Sequence, residues 1–407
     1  MKKNKFYLSI FLTLILGIFL GYENPKLVEH PKKIYKHFFK DKKTIKKVLK
    51  PVPEKKNVIE ANSFEVKFER IKEFNDRAAF LNIKSSNENN LKDYEVITSD
   101  AKIDNGKIIK ELNVPIHFFK QKNGGVRSVF KVNKDLFGLI SNKNFNCYYA
   151  SLVRFRDGRE IIKSECLPDI ENIDFSGLGG GYTIQDNYIF LAVGTPTHIS
   201  KEISNLAQNP SSIFGKIIKM NINDLKIEND KKIKYEIYSF GHRNPQGIAK
   251  VKNNIYSIEH GPHGGDEVNI IKYNLNYGWP KFSYGLPYSK DKKYPHKTSS
   301  KKYASPIFTF LPAIAPSDLS ECPKNLAKYY SNNICLMSLS LKAMSIFVFL
   351  LDDNNNMISV EKIIFDERLR HFGKNNKMNL FQNDDNSFFI TSDENYIYKI
   401  KFQNFVN

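Results

Sequence analysis

From residue 57 onward the chain alternates short apolar runs with breaks rich in Gly, Asn, Asp and Pro. The clearest runs are Phe64–Ile71, Tyr188–Val193, Ile255–Ile258, Ile334–Met337 and Phe388–Thr391. Their length and their β-branched and aromatic content predict strands. After residue 60 no amphipathic pattern runs beyond three turns, and only Leu319–Tyr330 predicts a short helix.

The runs recur in pairs. Tyr188–Gly194 precedes Gly215–Met220, Asn254–His260 precedes Asn269–Tyr273, and Ser387–Asp393 precedes Asn395–Ile400. In each pair a strand is followed by a polar loop and a second strand carrying Lys. A spacing of roughly 55 to 80 residues suits one four-stranded blade plus a long loop per repeat. The length after residue 57 then gives an all-β, six-bladed β-propeller. Periodicity alone leaves a pair of sandwiches or a seven-bladed propeller open.

The first 56 residues differ. Lys2, Lys3 and Lys5 precede Phe6–Tyr22, which is 17 residues without a charge. As a helix at ~1.5 Å per residue it would be roughly 25 Å long, short for a membrane span. The absence of an Ala-x-Ala-like site favours an uncleaved signal anchor over a cleaved signal peptide. Residues 23–56 hold twelve Lys against four acids, much of the formal net charge of +19. Ile34, Phe38, Phe39, Ile45, Val48 and Leu49 recur there at helical spacing. That pattern predicts a basic amphipathic linker helix, lying on an anionic membrane or standing as a solvated stalk. The expected organisation is thus 1–22 signal segment, 23–56 linker and 57–407 propeller. The expected location is membrane-anchored, on the periplasmic or another extracytoplasmic face. A nucleic-acid partner is not expected, because the basic excess sits beside the apolar segment and no nucleic-acid motif occurs.

The four cysteines form two local pairs without zinc-type spacing. Disulfides Cys147–Cys166 and Cys322–Cys335 are the guess that fits an oxidising compartment, with buried free thiols as the alternative.

Candidate chemistry concentrates in Ser239–Pro280, which carries His-Gly clusters, Arg243, Asn244, Gln246, three acids and the single Trp279. Gly241 and Gly247 bracket a tight excursion. Gly261-Pro262 and Gly264-Gly265 make another, whose carbonyls suit a hard cation such as Ca²⁺. Arg243 offers a planar fork for a carboxylate or quinone oxygen. Plainer roles stand beside these: loop packing for His242 and His260, turn capping or pairing with Arg243 for Asp266 and Glu267, core packing for Trp279, and surface ion pairs for Arg368 and Arg370.

GHRNPQG (241–247), EHGPHGGDE (259–267) and NYGWP (276–280), in that order, resemble the signature of the glucose/sorbosone dehydrogenase family. That family includes soluble pyrroloquinoline quinone (PQQ) aldose dehydrogenases. Weaker echoes are Gly124-Gly125, Phe214-Gly215-Lys216, Ile314–Ser317 and Arg368-Leu369-Arg370. The resemblance implies a six-bladed propeller with its site on the top face. It implies that Arg243, Asn244 and Gln246 face cofactor and substrate, that Arg368 and Arg370 neutralise cofactor carboxylates, and that Lys342 joins them. It places the cofactor-side Ca²⁺ on the carbonyls of Gly261 and Pro262.

The family's catalytic His sits in a His-x-Gly-Gly-Arg turn. Here that stretch is Phe175–Tyr182, and the His position falls on Gly177 or Ser176 and the Arg position on Gly181. His242, His260 and His263 are the possible replacements. His371 follows the Arg-x-Arg where an Asp is usual, which puts the local salt-bridge support in question. Two functions are expected: a periplasmic PQQ- and Ca²⁺-dependent sugar dehydrogenase, impaired by the lost base, or a non-catalytic propeller binding a saccharide or protein ligand in the cell envelope.

Overall fold

The computed structural model describes residues 58–406 apart from 88–89, 197–199, 227–232, 287–301, 332 and 376–379. The segments read as signal and linker, 1–22 and 23–56, lie outside the described residues. Asn57–Asn407 is one compact unit by itself. Among the described residues the longest helix is Lys324–Tyr329, and none is long and apolar enough to cross a membrane.

Four sheets each contain four antiparallel strands in chain order or its reverse. One begins at Val126–Val132, and the others at Gly179–Gln185, Pro245–Val251 and Pro316–Glu321. A fifth, nine-stranded sheet is divided by a short parallel seam, Gly373↔Leu81 and Lys374↔Asn82. On one side of the seam run Ala78–Asn87, Asn90–Thr98, Lys102–Asp104 and Ile109–Glu111. On the other side Leu369–Lys374, Phe388–Ser392 and Tyr396–Gln403 are completed by Glu65–Glu73, which comes from the other end of the unit. The opening strands Ala78–Asn87, Val126–Val132, Gly179–Gln185, Pro245–Val251, Pro316–Glu321 and Leu369–Lys374 touch in that sequence, and the last touches the first. The result is a closed β-propeller, a solution that protects sheet edges.

The repeated strand pairs are neighbouring strands of the sheets. Tyr188–Val193 pairs with Lys216–Asn221, Asn254–Glu259 with Asp266–Ile271, and Phe388–Ser392 with Tyr396–Gln403. Glycine sets how closely the opening strands approach. A Cβ on Gly181 would lie 2.9 Å from the Gly247 backbone, and one on Gly247 would lie 2.3 Å from the Leu319 nitrogen. Neither contact leaves room for a side chain. The helix expected over Leu319–Tyr330 is shorter. Leu319 and Ser320 pair with Ser338 and Met337 as strand, and the helix begins only after Pro323.

Candidate functional site

The loop Gly241–Asn244 enters the strand Pro245–Val251 and is pinned on several sides. His242 is fully buried, bonded through Nε2 to Ser239 (2.8 Å) and through Nδ1 to Glu259 (3.1 Å), and stacked on Tyr277. The Arg243 nitrogen donates to Glu259 Oε2 at 2.9 Å, and the Arg243 carbonyl accepts from the Thr195 nitrogen and hydroxyl. Arg243 Nη1 donates to the His260 carbonyl at 3.0 Å, with the guanidinium 5.3 Å from the Trp279 ring centroid. Asn244 Oδ1 accepts from the Gly179 nitrogen and from Gln246, linking two sheets.

This loop forms one wall of a cavity of about 340 Å³. Five arginines line it: Arg77, Arg127, Arg243, Arg368 and Arg370. Asn123, Ser176, Gly177, Thr195, Asn244, Gln246, His260 and Leu341 complete the lining, and no carboxylate is part of it. Many of these residues sit just before or within the first turn of residues of an opening strand. Arg77 precedes Ala78, Arg127 follows Val126, Gly177 lies two before Gly179, Asn244 precedes Pro245, and Arg368 precedes Leu369. One end of the strand ring thus gathers positive charge from different sheets.

The electrostatics follow from that crowding. Burial, and then repulsion by Arg77 and Arg370, pushes the Arg127 guanidinium down to about 9. Its Nε is buried without a hydrogen-bond partner, and its Nη2 donates to the Ser176 carbonyl at 3.2 Å. Burial and Arg370 also lower Arg77. Charged groups crowded in this way favour an anionic ligand. Asp393 binds Arg370 and, at 3.0 Å, Arg368. Burial pushes its carboxyl up, but Arg370, Arg368 and Arg77 together hold it below its ordinary range.

A smaller cavity adjoins the first and shares Arg243 and His260 with it; Glu259, Gly261, Pro262 and Glu267 also line it. Asp266 caps the turns here, accepting from the nitrogens of Gly261, Ile314 and Ala315. Burial, then the neighbouring Glu259, pushes the Glu267 carboxyl up to about 8. Among the described residues no three His, Cys, Asp or Glu side chains cluster as a metal site. Ca²⁺ takes six to eight oxygens, more than the carbonyls of Gly261 and Pro262 could offer.

Comparison with known proteins decides the family. The glucose/sorbosone dehydrogenase profile matches residues 177–393, more than half of the sequence. The chain belongs to the glucose/sorbosone dehydrogenase family. An uncharacterised protein of Synechocystis sp. is 34% identical over 200 residues, 47% of this chain and 46% of that protein. Aldose sugar dehydrogenase YliI of Escherichia coli is 34% identical over 119 residues, 27% of this chain and 31% of its own. Quinoprotein glucose dehydrogenase B of Acinetobacter calcoaceticus is 36% identical over 113 residues, 24% of this chain and 23% of its own. The chain therefore matches less than half the length of these curated relatives. Among solved structures, the apo soluble aldose sugar dehydrogenase of E. coli superposes with a TM-score of 0.63 at 20% identity, covering 83% of this chain and 99% of that one. The PQQ-bound aldose sugar dehydrogenase of Streptomyces coelicolor superposes with a TM-score of 0.57 at 16% identity, covering 83% and 98%. These two likenesses speak for the fold.

Set against the family expectations, Arg243, Asn244, Gln246, Arg368 and Arg370 share one cavity, and Gly177 is part of its wall. Gly261 and Pro262 line the adjoining one. Lys342 is exposed and lines neither cavity, although its neighbour Leu341 does. Of the possible replacement bases, His242 is locked in the protein interior and His263 is exposed, which leaves His260 on the cavity wall. Its Nε2 is 2.6 Å from the Pro316 carbonyl, and burial lowers its pKa. The loss of an Asp after the Arg-x-Arg does not leave those arginines unsupported, because Asp393 does that work. Asp266 caps backbone rather than pairing with Arg243. Arg77 and Arg127 were not legible as site residues; the available signal was a lone Arg at the front of an apolar strand. The cysteines are joined as Cys147–Cys166 and Cys322–Cys335.

Proposed function

We propose that this chain is a six-bladed propeller that binds a PQQ-type quinone in the arginine-lined cavity and takes a sugar beside it, as a sugar dehydrogenase of its family. The observation carrying this reading is the convergence of Arg243, Asn244 and Gln246 with Arg368 and Arg370 on one cavity free of carboxylates. A tricarboxylate fits such a cradle, since burial penalises the arginines until an anion joins them. PQQ would supply the two-electron acceptor. Arg243, Arg368 and Arg370 would hold its carboxylates, and Asn244 and Gln246 would orient ligand oxygens. Lys342 is proposed as a further contact only through movement of its exposed side chain. Ca²⁺ would sit at the Gly261 and Pro262 carbonyls, with ligand and water completing its shell.

Removing the sugar hydroxyl proton needs a base, which is worth about 10²–10⁴-fold in rate. We assign that role to His260, which lines the cavity. The second reading, a non-catalytic propeller that binds a saccharide or protein ligand, is favoured by one observation: Gly177 lies on the wall where the family carries its His. We further propose that the protein is exported and held to the membrane by residues 1–56, with its propeller on the periplasmic or other extracytoplasmic side. The apolar run 6–22, the basic linker and the two disulfides support this.

The test is titration with PQQ and Ca²⁺ followed by aldose-dependent dye reduction. Binding with sugar oxidation supports the dehydrogenase. Stoichiometric PQQ binding without oxidation favours the binding protein, and no PQQ binding removes the quinone from both.

A further inference from the structure

We propose that Arg77 and Arg127 form an anion subsite beside Ser176–Gly177, and that the saccharide taken here carries a carboxylate or phosphate. The inference deepens the sugar-binding reading above and rests on it. Arg243, Arg368 and Arg370 already account for the cofactor. Arg77 stands just before Ala78–Asn87, across the parallel seam from Arg368 and Arg370, and Arg127 lies at the start of Val126–Val132 in another sheet. Arg127 reaches the Ser176 carbonyl, so its guanidinium lies against the turn where the family's His would stand.

The charge count points the same way. Five guanidiniums line the cavity, and Asp393 is the carboxylate bound to two of them. Arg77 and Arg127 are lining guanidiniums that Asp393 does not bind and that the cofactor assignment above leaves unused. Asp393 and Asp76 attract Arg77 and Asp174 attracts Arg127, but these carboxylates offset burial and the neighbouring arginines only in part, and both guanidiniums stay lowered. Arg127 has a buried Nε with no partner, and an unmade hydrogen bond of that kind favours a ligand that completes it. A neutral aldose offers only hydroxyls to these groups. A uronate or a sugar phosphate offers the paired oxygens that a guanidinium fork matches.

The experiment is calorimetric titration of the full chain with glucose, glucuronate, glucose 6-phosphate and inorganic phosphate, with and without bound PQQ. With PQQ bound, at least one charged sugar should bind about tenfold tighter than glucose, or better. Which of the two does so identifies carboxylate or phosphate as the group recognised. Arg127→Leu should abolish the preference and Arg127→Lys should keep part of it, and in both the loss of charged-sugar affinity should exceed the loss of PQQ affinity. Arg77→Gln gives the same reading if Arg127→Leu fails to fold. Equal binding of glucose and the charged sugars overturns the proposal. So does inorganic phosphate binding as tightly as the sugar phosphate, or an equal loss of PQQ and sugar in Arg127→Leu. A wild-type chain that prefers charged sugars but does not bind PQQ leaves the subsite standing and removes the quinone reading alone.

Discussion

Asp393 grips one edge of the Arg370 guanidinium in a bidentate pair: Nη2 donates to Oδ2 at 3.0 Å while Nε donates to Oδ1. Arg370 is largely buried on the cavity wall, so its free edge is aimed before any ligand arrives. A fork fixed in this way loses little rotamer freedom on binding an anion. Arg370→Met is therefore expected to weaken PQQ binding by about tenfold to a hundredfold, the range for a charge-assisted hydrogen bond. Titration of the folded variant checks this. Unchanged affinity would place the cofactor elsewhere.

Gly177 closes a single 3₁₀ turn, Phe175–Gly177, capped by Asp174 accepting from the Ser176 nitrogen at 2.8 Å. Its φ is not in the left-handed region, so its backbone accepts a side chain without strain. Gly177→His should restore a general base at the family position. In a chain that binds PQQ without oxidising sugar, aldose-dependent dye reduction is expected to rise by about 10²–10⁴-fold in kcat, and by much less where His260 already takes the proton. The activity should also gain a rise with pH near the ordinary His value of about 6.5, as the imidazole loses its proton. A variant that binds PQQ but oxidises no sugar would show that the turn is not where the hydroxyl sits.

Much of the fold and part of this site were legible in the sequence, for identifiable reasons. Tyr188–Val193 is a run of strand formers bounded by polar residues and is nearly all buried in its sheet. Gly241 at φ +76° and the close approach at Gly247 explain why the loop between them stands out as a motif. Arg77 and Arg127 have no such marker. Each is one cation in front of an apolar strand, and only closure of the ring brings strands begun about fifty residues apart to a common end. Asp393 was invisible as the support of Arg368 for the same reason, since it lies on the far side of a strand and its loop. Lys342 shows the converse: a cation at a fitting spacing whose side chain stays in solvent.

Cys322 and Cys335 join the end of Pro316–Glu321 to the start of Ile334–Ser340, across the loop that holds the helix Lys324–Tyr329. Thirteen residues separate them in sequence. Closing a loop of that size in the unfolded chain is worth about 3 kcal/mol. The double variant Cys322→Ser, Cys335→Ser should lose about that much in denaturant unfolding. Wild type in strong reductant should move the same way, with a further loss from Cys147–Cys166. A midpoint insensitive to reductant would show that these bridges do not contribute.

Asp318 and Lys374 form a buried ion pair at 3.0 Å between neighbouring opening strands. Asp318 also accepts from the nitrogens of Leu319 and Phe372, and His371 lies 3.7 Å away. Burial pushes the Asp318 carboxyl up, but Lys374 and His371 more than reverse this and leave it below its ordinary range. Below an unfolded value of about 3.9 the unfolded chain binds the proton more readily than the folded one. The pair's contribution is therefore fully present above about pH 4 and is lost as pH falls through the depressed folded value. Asp318→Asn should cost about 3–5 kcal/mol at pH 7, because it strands a buried Lys374. It should also remove part of the acid limb of the stability curve. Unfolding midpoints of wild type and variant between pH 3 and 7 test both: the two curves should converge toward the acid end. A constant gap over that range would mean that the pair contributes packing and not charge.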